Sequence, residues 1–218
     1  MSQIKIKSSK LPPLDLNQLH RLHRKQRHAI RKRLAEFSVV RSTNYFYELA
    51  YCLLTPQSSA VNADKTISAL RGKDFRNTKA NPEPILRDKK HYIRFHKTKT
   101  KHLIAMKEQY PAIVERLTSG NDGTGLREWL VKNVKGLGWK EASHFLRNIG
   151  YRNLAILDRH ILKCLVRVGA LKKLPETLTT KKYKAIEKEF LTFADEVRIS
   201  IDELDLLFWS IATGEILK

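Results

Sequence analysis

The chain has 218 residues, 42% of them hydrophobic, and its 42 Lys and Arg against 22 Asp and Glu leave a formal net charge of +20 at pH 7. That size and apolar content fit one large globular domain, or two small lobes, with a core that needs no covalent staples. The charge excess points first to nucleic acid as partner and second to a membrane surface or ribosome-like complex. No run approaches the ~20 apolar residues of a membrane span, and "MSQIKIKSSKLPPLDL" lacks the apolar stretch of a signal peptide, so a soluble protein with no membrane partner is expected.

Helical periodicity dominates, and an all-α fold is predicted; the one extended-looking stretch is Ile4 to Lys7. Leu16, Leu19, Leu22, Ala29 and Ile30 form the apolar stripe of a first helix within a basic N-terminal segment, 1–40. Its other face, "HRLHRKQRHAIRKR", is either a solvated surface or a phosphate-binding one. Residues 41–218 read as the main fold. A second helix carries Phe46, Leu49, Ala50, Leu53 and Leu54 and breaks at Thr55-Pro56, because proline disfavours helix in the residue before it. The turn "TPQSS" leads to a third helix ending near Leu70. The polar stretch with Pro82 and Pro84 reads as a long loop, with a crossing between two lobes expected near 72–97. Two helices, Thr98 to Gln109 and Pro111 to Leu117, should follow, the second starting on its proline. The remaining helices are expected at Leu126 to Val134, Lys140 to Ile149, Arg159 to Val168, Lys181 to Val197 and Ile201 to Thr213. Ser200 and Glu203 stand at capping-box spacing before the last. Cys52 and Cys164 lie in apolar helical runs and suggest neither a disulfide framework nor a zinc site.

The most informative stretch is "VKGLGWKEASHFLRNIG", a tight hairpin between two helices spanning 126–149. Gly136 and Gly138 lack a Cβ, accept positive φ and let the backbone approach another molecule closely. The helix that follows at once turns its free N–H groups and positive dipole end toward the visitor, which favours a phosphate. The plainer alternative is an αα-corner with a glycine cap. A lysine in a first helical turn is electrostatically misplaced, which favours a functional reason for Lys140.

Together with "LAILDRHIL", this stretch resembles the helix-hairpin-helix and aspartate signature of the helix-hairpin-helix DNA glycosylase superfamily. The wording "GLGWKEASHFLRNIGYRNLAILDRHIL" is most similar to the archaeal-type second group of 8-oxoguanine DNA glycosylase/AP lyases. The similarity runs from "YELAYCLLTPQSS" to "DLLFWSIATGEILK". It implies two helical lobes with a lesion pocket between them, damaged double-stranded DNA as partner, and base excision without redox cofactor or catalytic metal. An intracellular monomer is expected, cytoplasmic and associated with the nucleoid.

The resemblance assigns the nucleophile to Lys140 and the catalytic carboxylate to Asp158, whose plainer role is a helix N-cap. Free lysine, with a pKa near ~10.4, is a poor nucleophile at neutral pH. Half burial and neighbouring cations disfavour the ammonium and make the amine accessible. Lys135, Gly136 and Gly138 would hold a DNA phosphate, a contact that carries no sequence information. A flipped base must be stacked and read at its edges. The resemblance gives Gln57 the gap left in the duplex and Trp209 the stacking face, with Phe95 or His96 as the opposite wall and the terminal Lys218 beside the pocket. Plainer roles stand beside these: a turn residue for Gln57, core for Trp209 and a frayed end for Lys218. Trp139 is read as packing and His144 as a structural histidine. Only Cys164 follows Lys140, so no four-cysteine iron–sulfur cluster is expected, unlike endonuclease III and many adenine glycosylases. Two alternatives stay open: a glycosylase or lyase for other lesions such as oxidised pyrimidines or abasic sites, and a non-catalytic DNA-binding module.

Overall fold

The computed structural model describes residues 12–120 and 122–216. Ile4 to Lys7 and Lys218 lie outside the described residues. Among the described residues the fold is all-α, with ten α-helices, two short 3-10 turns and no strand. None of these helices is long and apolar enough to cross a membrane. Two compact units arise: one from residues up to Val39 together with those from Gly150 onward, the other from Val40–Ile149.

The second unit holds α2 (Tyr45–Leu54), α3 (Ala60–Gly72), α4 (Glu83–Leu86), α5 (His96–Thr118), α6 (Gly123–Asn133) and α7 (Trp139–Asn148). Helix α2 is its hub, packing against α3, α5 and α7. Every residue from Leu49 to Leu54 is buried, so the sequence there is apolar around the whole helix. Phe46 sits edge-on to Tyr47 and Tyr110 at 5.1 and 5.0 Å between ring centroids, a geometry that suits the aromatic quadrupole.

Two expectations need correction here. The polar stretch 72–97 lies wholly inside this unit, and the chain passes between units after Val39 and after Ile149. Phe75, Leu86 and Ile93 are buried and fasten the stretch, helped by α4 and the 3-10 turn Lys89–His91. Isolated anchors of this kind have no period and read as loop. The two helices expected around Pro111 are one, since α5 runs through the proline. An interior proline forfeits one backbone bond. Leu103, Met106, Tyr110, Ile113 and Leu117 form a single buried stripe across it, and burial of that stripe offsets the loss.

The first unit holds α1 (Leu16–Ser38), α8 (Arg159–Arg167), α9 (Thr180–Val197) and α10 (Ile201–Thr213). Helix α1 starts on a complete capping box, with Asp15 and Gln18 each bonding the other's backbone. It packs along α10, which also packs on α8 and α9. Phe190 and Phe208 stack at 5.9 Å in this core. The basic N-terminal helix is thus a structural member of the unit. Ser200 caps α10 by accepting from the Glu203 N–H, but the Glu203 carboxylate does not complete a box. It reaches α1 instead, taking His23 Nε2 at 2.9 Å on one oxygen and Arg31 Nε at 2.6 Å on the other.

This bridge is asymmetric: Glu203 and His23 are buried, whereas the Arg31 side chain is 61% exposed. Glu203→Ala should therefore cost roughly 2–4 kcal/mol, because it strands a buried histidine as well as removing the bridge. Arg31→Ala should cost less than about 1 kcal/mol. Urea denaturation of both variants checks the contrast, and equal losses would refute it.

Candidate active site

Between α6 and α7 the chain turns through Val134 to Gly138. Val134 and Leu137 point into the core, while Lys135 and Gly136 are exposed. Gly136 has φ +90°, and a Cβ built on it would fall 2.2 Å from Nδ1 of the His102 ring. It is glycine for two reasons, the left-handed backbone and the imidazole beneath it. Gly138 differs from expectation: its backbone is extended, at φ −90° and ψ −179°. It is the N-cap of α7, and it supplies no side-chain cap. Without a side chain at that position, another group can approach the start of α7 closely.

Lys140 is the second residue of α7, with its side chain 26% exposed and Nζ 3.0 Å from Glu141 Oε1. From Ala142 to Asn148 every residue of α7 is buried, including Ser143, His144, Arg147 and Asn148. Arg127 donates to Ser143 Oγ at 3.1 Å, and Asn148 donates to Glu48 Oε2 at 3.2 Å. The Arg127 guanidinium also lies 4.9 Å over the Trp139 ring, so Trp139 packs on its own unit. His144 is buried edge-on to Tyr51.

Gln57 is exposed and left-handed, with φ +55°, in the turn after α2. Phe95, the N-cap of α5, is also left-handed, with φ +60°, and is 46% exposed. Ser58 Oγ joins these two strained points, accepting from Arg94 N at 3.1 Å and from Lys99 Nζ at 3.0 Å. His96 is turned toward Tyr92 and Glu83, whereas the Phe95 ring is exposed.

In the other unit, Asp158 is the N-cap of α8. Its Oδ1 accepts from His160 N at 2.7 Å and Ile161 N at 2.8 Å. Trp209, on α10, stands edge-on to His160 at 5.2 Å and is partly accessible beside the buried Leu206, Leu207 and Phe208. Its Nε1–H is buried and has no acceptor among the described residues. Burial lowers the His160 pKa against the pull of Asp158, with Arg159 and Lys163 adding to the shift, so the ring facing Trp209 is neutral at pH 7.

Lys135, Gly136, Gly138, Lys140, Gln57, Phe95 and His96 thus belong to one unit, and Asp158 and Trp209 to the other. Three neighbours escape a reading of the sequence: Lys99, His102 and His160. In "HKTKTKHL" the first two look like ordinary surface cations, yet Lys99 is 5% exposed. Burial first, then Lys135 and Lys99, lowers the His102 pKa, so a neutral ring supports the hairpin at pH 7.

Residues 30–199 match the family model described as 8-oxoguanine DNA glycosylase. An 8-oxoguanine DNA glycosylase/AP lyase of Fusobacterium nucleatum is 39% identical over 213 residues, covering 93% of this chain and 97% of its own. The protein of that description in Korarchaeum cryptofilum is 38% identical over 193 residues, 88% of this chain and 91% of its own. The Methanocaldococcus jannaschii 8-oxoguanine glycosylase/lyase, solved in complex with a 15mer DNA containing 8-oxoguanine, superposes with a TM-score of 0.82 at 31% identity. That alignment covers 93% of this chain and 99% of the other.

The two hairpin glycines should respond differently to substitution. Gly136→Ala should cost roughly 2–4 kcal/mol through left-handed strain and the His102 clash. Gly138→Ala, whose new Cβ meets only the flexible end of Glu141 at 2.8 Å, should cost under about 1 kcal/mol. Chemical denaturation tests both, and adding His102→Ala should recover part of the Gly136→Ala loss by relieving the clash.

Proposed function

This chain belongs to the 8-oxoguanine DNA glycosylase family, and from that premise we propose that it excises 8-oxoguanine from duplex DNA through Lys140 and then cleaves the strand at the abasic site. The observation that carries the choice of nucleophile is the position of Lys140 in the first turn of α7, directly after a hairpin that ends on a glycine N-cap. A phosphate held by Lys135 and the amides near Gly136 and Gly138 would bring the neighbouring sugar within reach of that amine.

The neutral Lys140 amine attacks the sugar C1′. A bond from Nζ to C1′ forms as the glycosidic bond breaks, and the base departs after taking a proton. Opening of the sugar ring, with protonation of O4′, gives an imine. Loss of a C2′ proton then expels the 3′ phosphate by β-elimination, and water hydrolyses the imine to return the lysine. Asp158 faces the developing cationic sugar and assists these proton transfers. Both of its backbone bonds fall on Oδ1, so Oδ2 keeps its lone pairs for that task.

Recognition is divided among the remaining residues. Gln57 fills the space vacated by the flipped nucleotide, Trp209 stacks on the oxidised base, and Phe95 is the residue that the family resemblance offers as a further wall. His96 and Lys218 complete the set that the family resemblance nominates. The exposed cations Arg21, Arg24, Lys25 and Lys32 recur at helical spacing on α1 and add to a surface suited to phosphates. We infer that the protein acts on damaged duplex as a monomer within the cell.

With an 8-oxoguanine:cytosine duplex, borohydride should trap a covalent adduct that Lys140→Gln abolishes; retained trapping would remove Lys140 from the mechanism. Asp158→Asn should keep duplex affinity within about threefold while lowering turnover by ~10²-fold or more. Affinity should fall by ~10³-fold or more between 50 and 200 mM salt if about 6–10 phosphates are neutralised.

A further inference from the structure

Lys99 is a buried cation that the reaction as described does not use. Its Nζ donates to Leu54 O at 2.6 Å, to Pro56 O at 2.6 Å and to Ser58 Oγ at 3.0 Å. An ammonium has three protons and a neutral amine two, so three acceptors at these distances suit the charged form. Leu54 O lies at the C-terminal end of α2, where carbonyls lack helical partners and the dipole favours a cation. Pro56 O and Ser58 Oγ flank the left-handed Gln57. One turn along α5, His102 packs beneath Gly136, so the face of α5 that carries Lys99 also underlies the hairpin.

We propose that Lys99 is a positioning residue for Lys140: its ammonium fastens the end of α2 and the Gln57 turn to α5, and from there its charge favours the neutral amine of Lys140. The proposal rests on Lys140 being the nucleophile. Burial and then repulsion from Lys140 lower the Lys99 pKa to about 8, while Glu141 opposes the shift. Coulomb repulsion is mutual, so Lys99 presses on Lys140 in turn. Charged and titratable groups around the pair include Glu141 on α7, which holds Lys140 at 3.0 Å and favours its ammonium, and His102 and Lys135 at the hairpin. On the α2 side Lys99 meets carbonyls and a hydroxyl. Removing its charge therefore raises the pH at which Lys140 becomes a free amine, and removing that of Glu141 lowers it.

The test is single-turnover nicking of a duplex carrying one abasic site, followed from pH 6 to 10 with the full chain. Lys99→Met should move the acid limb up by about one pH unit, slowing nicking ~10-fold at pH 7. The rate should approach the parent's near pH 9.5, where Lys99 itself is uncharged. Lys99→Arg should keep the parent's acid limb, and Glu141→Gln should move it down. A loss by the same factor at every pH would reduce Lys99 to a structural fastener and overturn the proposal. Should Lys99→Met fail to fold by circular dichroism, Lys99→Gln, which keeps two donors without the charge, carries the same expectation. Lys140→Gln separates the two levels. If it still nicks, the nucleophile assignment fails; if it is inert while Lys99→Met and Lys99→Gln show no displacement, only the role of Lys99 fails.

Discussion

Helix α7 is buried from Ala142 to Asn148 and opens to solvent in its first turn alone, and the placement of Lys140 depends on that arrangement. A helix held on all sides cannot pivot, so the lysine one residue past its start has a fixed root. Apolar packing alone would let such a helix slide. Bonds from Arg127 to Ser143 and from Asn148 to Glu48 tie it to α6 and α2 at defined registers. Buried polar groups lose heavily when unpaired, so a bonded network of this kind selects one alignment over neighbouring ones.

Rigidity behind the site is matched by strain at its edge. Gln57 and Phe95 both hold left-handed backbone without being glycine, a conformation that costs about 1–3 kcal/mol each. They persist because their surroundings overdetermine them. Ser58 Oγ accepts from the backbone of Arg94 and from Lys99, so the turn after α2 and the start of α5 constrain each other. Both residues are ones the family resemblance nominates for contact with the lesion or its vacated space.

Electrostatics operates on two scales. The net charge of +20 draws a polyanion without regard to its sequence. At Lys140, the proposed nucleophile, individual charges matter: Glu141 stabilises its ammonium from 3.0 Å, and buried Lys99 repels it. The same abundance of lysine that serves the first scale hides the second, because composition cannot tell a solvated cation from a buried one.

The sequence by itself determined the all-α class, most helix positions, the hairpin and the family. Apolar residues recurring every three or four positions, and caps such as Asp15, Ser200 and Asp158, are local signals that survive without tertiary contacts. The nominations of Lys140 and Asp158 were legible because they sit at fixed offsets from the two glycines and the α8 cap. Tertiary structure decided the rest. It kept α5 continuous through Pro111, because a buried stripe outweighs one lost hydrogen bond. It folded 72–97 into the second unit through three aperiodic anchors. It diverted Glu203 from its own helix cap to His23 and Arg31 on a distant segment. It also buried Lys99 against three acceptors and slid His102 beneath Gly136. None of these has a sequence signature, since each depends on which atoms meet across long separations in the chain, and that is fixed only when the helices pack.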